Sequence, residues 1–222
     1  MRTLFKHAHL IVDDYREYID GALLKNDEYI EDVFVNSNKI DNISYDQEVD
    51  LHGKLLLPKF LDLSLLDNNQ VVVDPLKGEI NTNKAIMLGN SDAYLTDVSI
   101  DYDGYYNLFK NMTGFDAYNP GLVNKAFYDY DKYVEIDGGL DKDVLNVVYK
   151  LIRKDRIILI GDVLSGVRKL LECKANYNEI LMMSSLNAYR LFKMDKQVGS
   201  LIKGKKALLM VCDDDFKEVE NV

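Results

Sequence analysis

Residues 133–162 read YVEIDGGLDKDVLNVVYKLIRKDRIILIGD, and the hydrophobic pattern of this stretch predicts the architecture. Two short apolar runs, VEI and RIILI, are each followed by a turn that contains glycine, which is typical of buried strands. Between them the apolar residues recur at the spacing of one helix face, namely Val144, Leu145, Val147, Val148, Leu151 and Ile152. Asp141 is the expected N-cap, and Arg153 and Lys154 suit the carboxyl end. A strand, a helix and a second strand predict a right-handed crossover in a parallel sheet.

The sequence on either side of this unit predicts a small β-domain built from both chain ends. Its first part contains four strand-like segments, TLFKHAHLIVD, ALLKND, YIEDVFVNSN and EVDLHGKLLLP, which suggest a small antiparallel sheet or half of a sandwich. The tail VGSLIKGKKALLMVCDDDF also has strand character. Between them, KFLDLSLL is a strand candidate and NYNEILMMSSLNAYRLF a second amphipathic helix. We therefore predict one domain from residues 1–57 and 200–222, with residues 58–199 forming the inserted α/β unit.

Composition limits the class of function. The chain has 222 residues, with 27 Lys and Arg against 37 Asp and Glu, and a net charge of −10. That charge disfavours a nucleic-acid partner, because phosphate binding needs a basic face. No apolar run approaches the roughly 18 residues of a membrane span, and we expect no membrane association and no secretory signal. Two cysteines, Cys173 and Cys212, are too few for a disulfide framework, so we expect the reducing cytoplasm.

Histidine is scarce, and this limits the chemistry of any site. The chain contains only His7, His9 and His52, all in its first quarter. The spacing of His7 and His9 would place both on one strand face, like a metal pair, but a structural role within the predicted sheet is favoured. His52, directly before Gly53, is expected to lie in a turn.

Six segments, taken in order, resemble the N-acetylglucosamine-6-phosphate deacetylase family of the amidohydrolase superfamily. They are GKLLLPKFLDLSLLD (53–67), GNSDA (89–93), NLFKNM (107–112), YNPGLVNKAFYDY (118–130), ILIGDVLS (158–165) and SSLNAYRLFKMDKQVGSLIKGKKALLMVCDDDF (184–216). Each match is weak alone, but six matches in the family's order along nearly the whole chain point specifically to this family. The resemblance implies an α/β fold, in which a TIM-like metal-dependent barrel is joined to a β-sandwich made from both chain ends.

The resemblance also implies losses at functional positions. The family's hydrolysis needs a divalent metal that activates water and is held by histidines and carboxylates. The positions of the family's ligand or near-ligand histidines and of its phosphate-binding arginine are occupied here by Ser64, Leu66, Asn90, Asn107 and Tyr118. Leucine has no lone pair, and serine and asparagine are poor ligands for zinc or iron. The segment DGGLD (137–141) also lacks the histidine of the family's DGxHxH element, so we expect no metal, no other cofactor and a damaged substrate site.

Asp162 is the candidate catalytic residue, because it matches the family's acid–base aspartate. In the family this aspartate follows a barrel strand and acts on the metal-bound water. The alternative, which we favour, is a strand-end aspartate that caps the following turn or helix. Glu79, the only glutamate between Ser64 and Asn90, lies in a turn-like stretch and is not expected to be a surviving ligand.

The chain is short for a complete barrel, which typically needs about 250 residues. The interval between Ser64 and Asn90 has room for one short excursion, so we infer that about three βα units are deleted. We therefore predict an incomplete TIM-like barrel. Its open edges and apolar faces would need a cover, for which a homodimer is the natural solution.

Other residue groups have simpler interpretations. The acidic triplet Asp213 to Asp215 is expected to be a solvated turn rather than a calcium site. Both cysteines are expected to be buried small apolar residues. The tyrosine-rich run of residues 94–133 could form an aromatic binding wall, although a cover for surface left open by the deletion is favoured.

Three functions stay open at this point. The first is a degenerate, non-catalytic relative of the deacetylase, acting as an oligomer or as an accessory to a full-length enzyme. The second is a hydrolase of an amino-sugar derivative that uses a site rebuilt around Asp162. The third is a module that binds an amino-sugar phosphate without chemistry. The first is favoured, because the residues that activate water and those that recognise substrate are both lost.

Overall fold

The computed structural model describes residues 1–40, 42–62, 134–191 and 194–222. Within these ranges the chain is a mixed α/β protein with one seven-stranded sheet and one two-stranded sheet, which confirms the predicted α/β class. No helix in the same ranges is long and apolar enough to cross a membrane. Several residues discussed above lie outside the described ranges, namely Ser64, Leu66, Glu79, Asn90, Asn107, Tyr118 and the tyrosine-rich run.

The large sheet brings the two ends of the described chain together. The strands, in chain order, are β1 (Arg2–Ile11), β2 (Glu17–Asn26), β3 (Tyr29–Phe34), β4 (Gln47–Asp50), β5 (Leu55–Pro58), β6 (Val134–Asp137), β7 (Ile157–Ile160), β8 (Leu209–Cys212) and β9 (Val219–Asn221). The large sheet has the order β3-β2-β1-β5-β8-β9, with β4 beside β1. Because β5 pairs antiparallel with β8, the tail of the chain lies next to the strand that leads out of the N-terminal segment.

The N-terminal part of the sheet is mixed rather than antiparallel, so that expectation was wrong. The hairpins from β1 to β3 are antiparallel, but β1 pairs in parallel with β4 through residues 3–6 and with β5 through residues 9–10. The change of partner occurs around His7, which has φ 50° within a register shift. A bulge of this kind bends a strand locally, which allows β1 to serve two partners along its length.

The predicted strand–helix–strand unit is confirmed. Helix α1 (Lys142–Leu151) connects β6 and β7, and the two strands pair in parallel from Val134 opposite Ile157 to Asp137 opposite Ile160. Asp141 occupies the N-cap position, although its side chain makes no capping hydrogen bond. The carboxyl ends of β6 and β7 therefore lie at the same edge of this sheet.

A second helix, α2 (Val163–Glu172), directly follows β7 and was missed as a separate element in the sequence. The predicted helix over residues 176–192 forms in three parts, α3 (Tyr177–Leu181), a π-helical turn (Met182–Leu186) and α4 (Asn187–Leu191). The strand expected at KFLDLSLL does not form in its described part, residues 59–62, because the backbone there bonds to the π-helical turn: the Leu61 N–H donates to the Ser184 carbonyl, and the Lys59 carbonyl accepts from the Ser185 hydroxyl.

One hydrophobic core connects both sheets. It contains Ile11 and Leu57 from the large sheet, Ile136 and Leu159 from the small sheet, and buried residues of the helices. The ring of Phe216, in the turn between β8 and β9, lies 5.6 Å from the ring of Phe60. The packing is therefore continuous across the boundary that the sequence predicted between the β-domain and the inserted unit.

Candidate functional site

Three aspartates follow three strands of the described chain. Asp137 is the last residue of β6, Asp162 comes two residues after β7, and Asp62 comes four residues after β5. In sheets with parallel strands, ligands and catalytic groups gather outside the carboxyl ends of the strands. The carboxyl ends of β6 and β7 are therefore the candidate site, which Asp62 reaches from the large sheet.

Asp62 and Asp137 both meet the backbone of Gly161. The Gly161 N–H donates to Asp62 Oδ1 at 2.9 Å, and Asp62 is only 3% exposed. Gly161 has φ +69°, and a Cβ added there would lie 2.8 Å from Asp137 Oδ1. Asp137 Oδ1 also accepts the N–H of Gly139 at 2.7 Å. Asp137 thus binds the turn after β6 and Asp62 the turn after β7, and glycine at position 161 is explained by its positive φ together with this close approach.

Asp162 is the N-cap of α2. Its Oδ1 accepts the backbone N–H of Ser165 at 3.1 Å, which satisfies one of the free donors at the start of the helix. A negative charge there also interacts favourably with the helix dipole. The geometry therefore supplies the capping role that the sequence suggested, while the acid–base role of Asp162 stays a prediction.

The turn after β6 packs tightly on the start of α2. A Cβ added to Gly138 would lie 2.1 Å from the backbone oxygen of Asp162, and one added to Gly166 would lie 2.7 Å from the Gly138 Cα. Lys169, one turn further along α2, donates to the carbonyl oxygens of this turn. These contacts fix Asp162 relative to β6. In the sequence, the only sign of them was the turn with glycine after the first apolar run.

The three histidines are each bound to a carboxylate within residues 1–52. His7 Nδ1 lies 3.0 Å from Asp20 Oδ1 and His9 Nε2 lies 3.2 Å from Glu17 Oε2. His52, in the turn between β4 and β5, lies 3.3 Å from Asp50. The His9 ring additionally packs edge-on against Tyr177. No group of three or more His, Cys, Asp or Glu side chains suited to a metal ion occurs among the residues that the structure describes.

The remaining candidates have structural surroundings. Asp213 Oδ1 accepts the N–H groups of Lys217 and Glu218, as expected for a turn. Cys212 is buried, whereas Cys173 is only partly buried at the carboxyl end of α2, so the expectation of full burial was wrong for Cys173. Burial raises the pKa of both thiols, which keeps them protonated and poorly nucleophilic at neutral pH.

Comparison with known proteins identifies the fold. No protein-family model matches the chain, and no curated protein matches it. Among solved structures, N-acetylglucosamine-6-phosphate deacetylase from Pasteurella multocida is similar with a TM-score of 0.61 at 12% identity, over 97% of this chain and 96% of that chain. The β-aspartyl dipeptidase from Fervidobacterium islandicum AW-1 is similar with a TM-score of 0.60 at 13% identity, over 99% of this chain and 94% of that chain.

A third similar structure names the superfamily. It is an enamidase described as a member of the amidohydrolase superfamily, with a TM-score of 0.58 at 11% identity, over 95% of this chain and 86% of that chain. At these identities the likeness concerns the fold alone. The chain therefore has an amidohydrolase-type fold, as the sequence motifs predicted, while the incomplete barrel, the sandwich and the specific kinship with the deacetylase stay predictions.

Proposed function

We propose that this chain is a degenerate relative of N-acetylglucosamine-6-phosphate deacetylase that does not perform metal-dependent hydrolysis. One observation carries the proposal, namely that all three histidines of the chain lie within residues 1–52, two on β1 and one in the turn after β4. Deacetylation by this type of enzyme needs a water molecule whose pKa is lowered by a metal ion, and imidazole is the main ligand of such an ion. None of the three imidazoles of this chain belongs to the turns after β6 and β7, where Asp137 and Asp162 lie.

Neither the residues that the structure describes nor those at the positions that resemble the family's ligand positions fit a catalytic metal. Asp162 caps α2 through the Ser165 N–H, and Asp62 binds the Gly161 N–H. The positions that correspond to ligand or near-ligand histidines hold Ser64, Leu66, Asn90 and Asn107. We therefore derive no catalytic step through a metal, and the proposed role is that of a non-catalytic protein.

Metal analysis and an activity assay test this proposal directly. The full-length protein, incubated with Zn²⁺, Fe²⁺, Co²⁺ or Mn²⁺ and then desalted at neutral pH, is expected to retain substoichiometric metal. It is also expected to release no acetate from N-acetylglucosamine 6-phosphate. Stoichiometric metal or acetate release would contradict the proposal. If the Asp162→Asn variant then lost the bound metal and the acetate release, the result would favour a hydrolase rebuilt around Asp162, whose side chain is exposed.

The same position supplies matched variants for the capping role. Asparagine caps helices about as well as aspartate, so Asp162→Asn should leave the free energy of unfolding nearly unchanged. Asp162→Ala should lower it by about 1 kcal/mol, because the Ser165 N–H loses its acceptor. If urea denaturation gave Asp162→Ala the same stability as the unaltered protein, the result would contradict a stabilising capping role for Asp162.

We further propose that the chain acts as a homodimer. We also propose that each chain has two domains, one formed by residues 1–57 and 200–222 and the other by residues 58–199. The support for this proposal is the incomplete barrel that the sequence predicts, whose open edges would need a cover. Sedimentation velocity at micromolar concentration is expected to give the mass of a dimer, and a stable monomer would contradict this. The free thiols of Cys173 and Cys212 support a reducing compartment such as the cytoplasm.

A ligand role without catalysis is tested separately. Thermal unfolding with amino-sugar phosphates at millimolar concentration detects any molecule that binds the folded state, because binding raises the free energy of unfolding. A saturable rise in the unfolding temperature would identify an amino-sugar phosphate binding module. Absence of a shift would leave the accessory or oligomeric role.

A further inference from the structure

Three main-chain carbonyl oxygens converge on one point in the turn after β6. They belong to Gly138, Gly139 and Leu140, and they lie 3.1, 3.2 and 2.7 Å from the Lys169 Nζ. An ammonium group has three N–H donors and no acceptor, so each carbonyl can receive one of its hydrogens. The side chain of Lys169 reaches this point from α2, the helix that Asp162 caps.

The direction of the N–H groups explains why the carbonyls converge. The Gly138 N–H donates to the Ile160 carbonyl at 2.9 Å, and the Gly139 N–H donates to Asp137 Oδ1 at 2.7 Å. The Leu140 N–H donates to the Asp137 carbonyl at 3.2 Å. All three donors of the turn are thus used by β6 and β7. The three carbonyl oxygens are left to bind the Lys169 ammonium and together carry partial negative charge.

A face made of carbonyl oxygens is suited to a cation of low charge density. Rings of backbone carbonyls replace the hydration shell of K⁺ in selective channels, and an ammonium ion offers the same charge with directed donors. The contacts of Lys169 differ in this respect from those of Lys142, which forms an ordinary exposed ion pair with Glu172 at 2.8 Å.

We propose that the turn of residues 138–140 is a binding site for a monovalent cation and that the tethered ammonium of Lys169 is its resident occupant. The site holds the turn at the carboxyl edge of β6 through a charge that the chain itself supplies. The inference goes beyond the proposed function, because it concerns the occupant of this turn whether or not the protein hydrolyses a substrate.

Chemical rescue tests the site. In the full-length protein, Lys169→Ala is expected to lower the unfolding temperature in sodium chloride. Ammonium or potassium chloride should restore part of the loss in a saturable manner, whereas tetramethylammonium chloride at the same ionic strength should not, because it is too large and has no N–H donor. The unaltered protein should show no such difference between salts, since its site is already filled.

Two further variants separate charge from packing. Lys169→Met keeps most of the aliphatic stem and removes the three donors, so it is expected to lose a similar amount of stability. Lys142→Ala removes an exposed ammonium on α1 and should show no preference among the salts. Recovery of Lys169→Ala to the same extent in all chlorides, or full stability of both Lys169 variants, would overturn the proposal. If Lys169→Ala does not fold in sodium chloride, refolding in ammonium chloride supports the site, and failure in both salts overturns it.

Discussion

Phe216→Ala is expected to lower the free energy of unfolding by about 3–5 kcal/mol, the range for removal of a buried phenylalanine ring. The side chain is fully buried in the core that joins both sheets. Its ring centroid lies 5.6 Å from that of Phe60 and 6.3 Å from that of Tyr177. Since small domains are stable by about 5–15 kcal/mol, this one substitution removes a large share of the total.

The backbone at Phe216 has its own contacts, which Phe216→Ala leaves in place. Phe216 has φ +56°, which is unusual for a bulky side chain, and its carbonyl accepts hydrogen bonds from Arg168 Nε at 2.9 Å and Nη2 at 2.7 Å. The buried ring and the guanidinium together stabilise this turn. Urea denaturation measures the loss, with Val35→Ala as control, because Val35 is 65% exposed and should change stability by less than about 0.5 kcal/mol. A loss at Phe216 as small as that of the control would contradict its role in the core.

Elements with a strong local pattern were predictable. The six apolar residues of α1 mark one helix face, and the runs on either side of it are β6 and β7. Helix α2 had a usable signal too, since Val163, Val167 and Leu170 recur at helical spacing after Asp162, and all three are buried. The sequence analysis predicted that Asp162 caps a following turn or helix but did not use this spacing to predict the helix itself.

Features that depend on distant contacts were not predictable. The π-helical turn forms where the Ser184 hydroxyl binds the Ile180 carbonyl and the Ser185 hydroxyl binds the Lys59 carbonyl, the latter 126 positions away. The hydrogen bond from Gly161 to Asp62 joins residues 99 positions apart. Hydrophobic periodicity describes one segment at a time and contains no information about such partners. The mixed pairing of β1 was missed for the same reason.

The candidate site was predictable in part. The motif match gave Asp162, and the same residue was predicted as a cap from its position after an apolar run. The contact between Gly138 and the backbone of Asp162 depends on how α2 lies against β6, which no local pattern encodes.

Gly138→Ala is expected to lower the free energy of unfolding by about 3 kcal/mol or more, the upper end of the range for overpacking. The new Cβ would lie 2.1 Å from the backbone oxygen of Asp162, and backbone cannot rotate away as a side chain can. Gly139→Ala is the matched control at the next position. The atom nearest to its Cβ would be Oδ1 of the Asp137 side chain, at 3.0 Å, which can move, and we expect a loss of less than about 1 kcal/mol by thermal or urea unfolding. Similar losses for the two variants would contradict a specific contact at Gly138.

Gly166→Ala probes the same contact from the helix side. In an isolated helix this change would add about 1 kcal/mol of stability, because alanine has the higher helix propensity. Here the new Cβ would lie 2.7 Å from the Gly138 Cα, so we expect a net loss instead. The double variant should lose less than the sum of the single variants, because a turn already displaced by Gly138→Ala no longer presses on position 166. If the losses of the two single variants added up exactly in the double variant, the two glycines would act independently. That result would contradict the view that tight packing of β6 on the start of α2 positions Asp162.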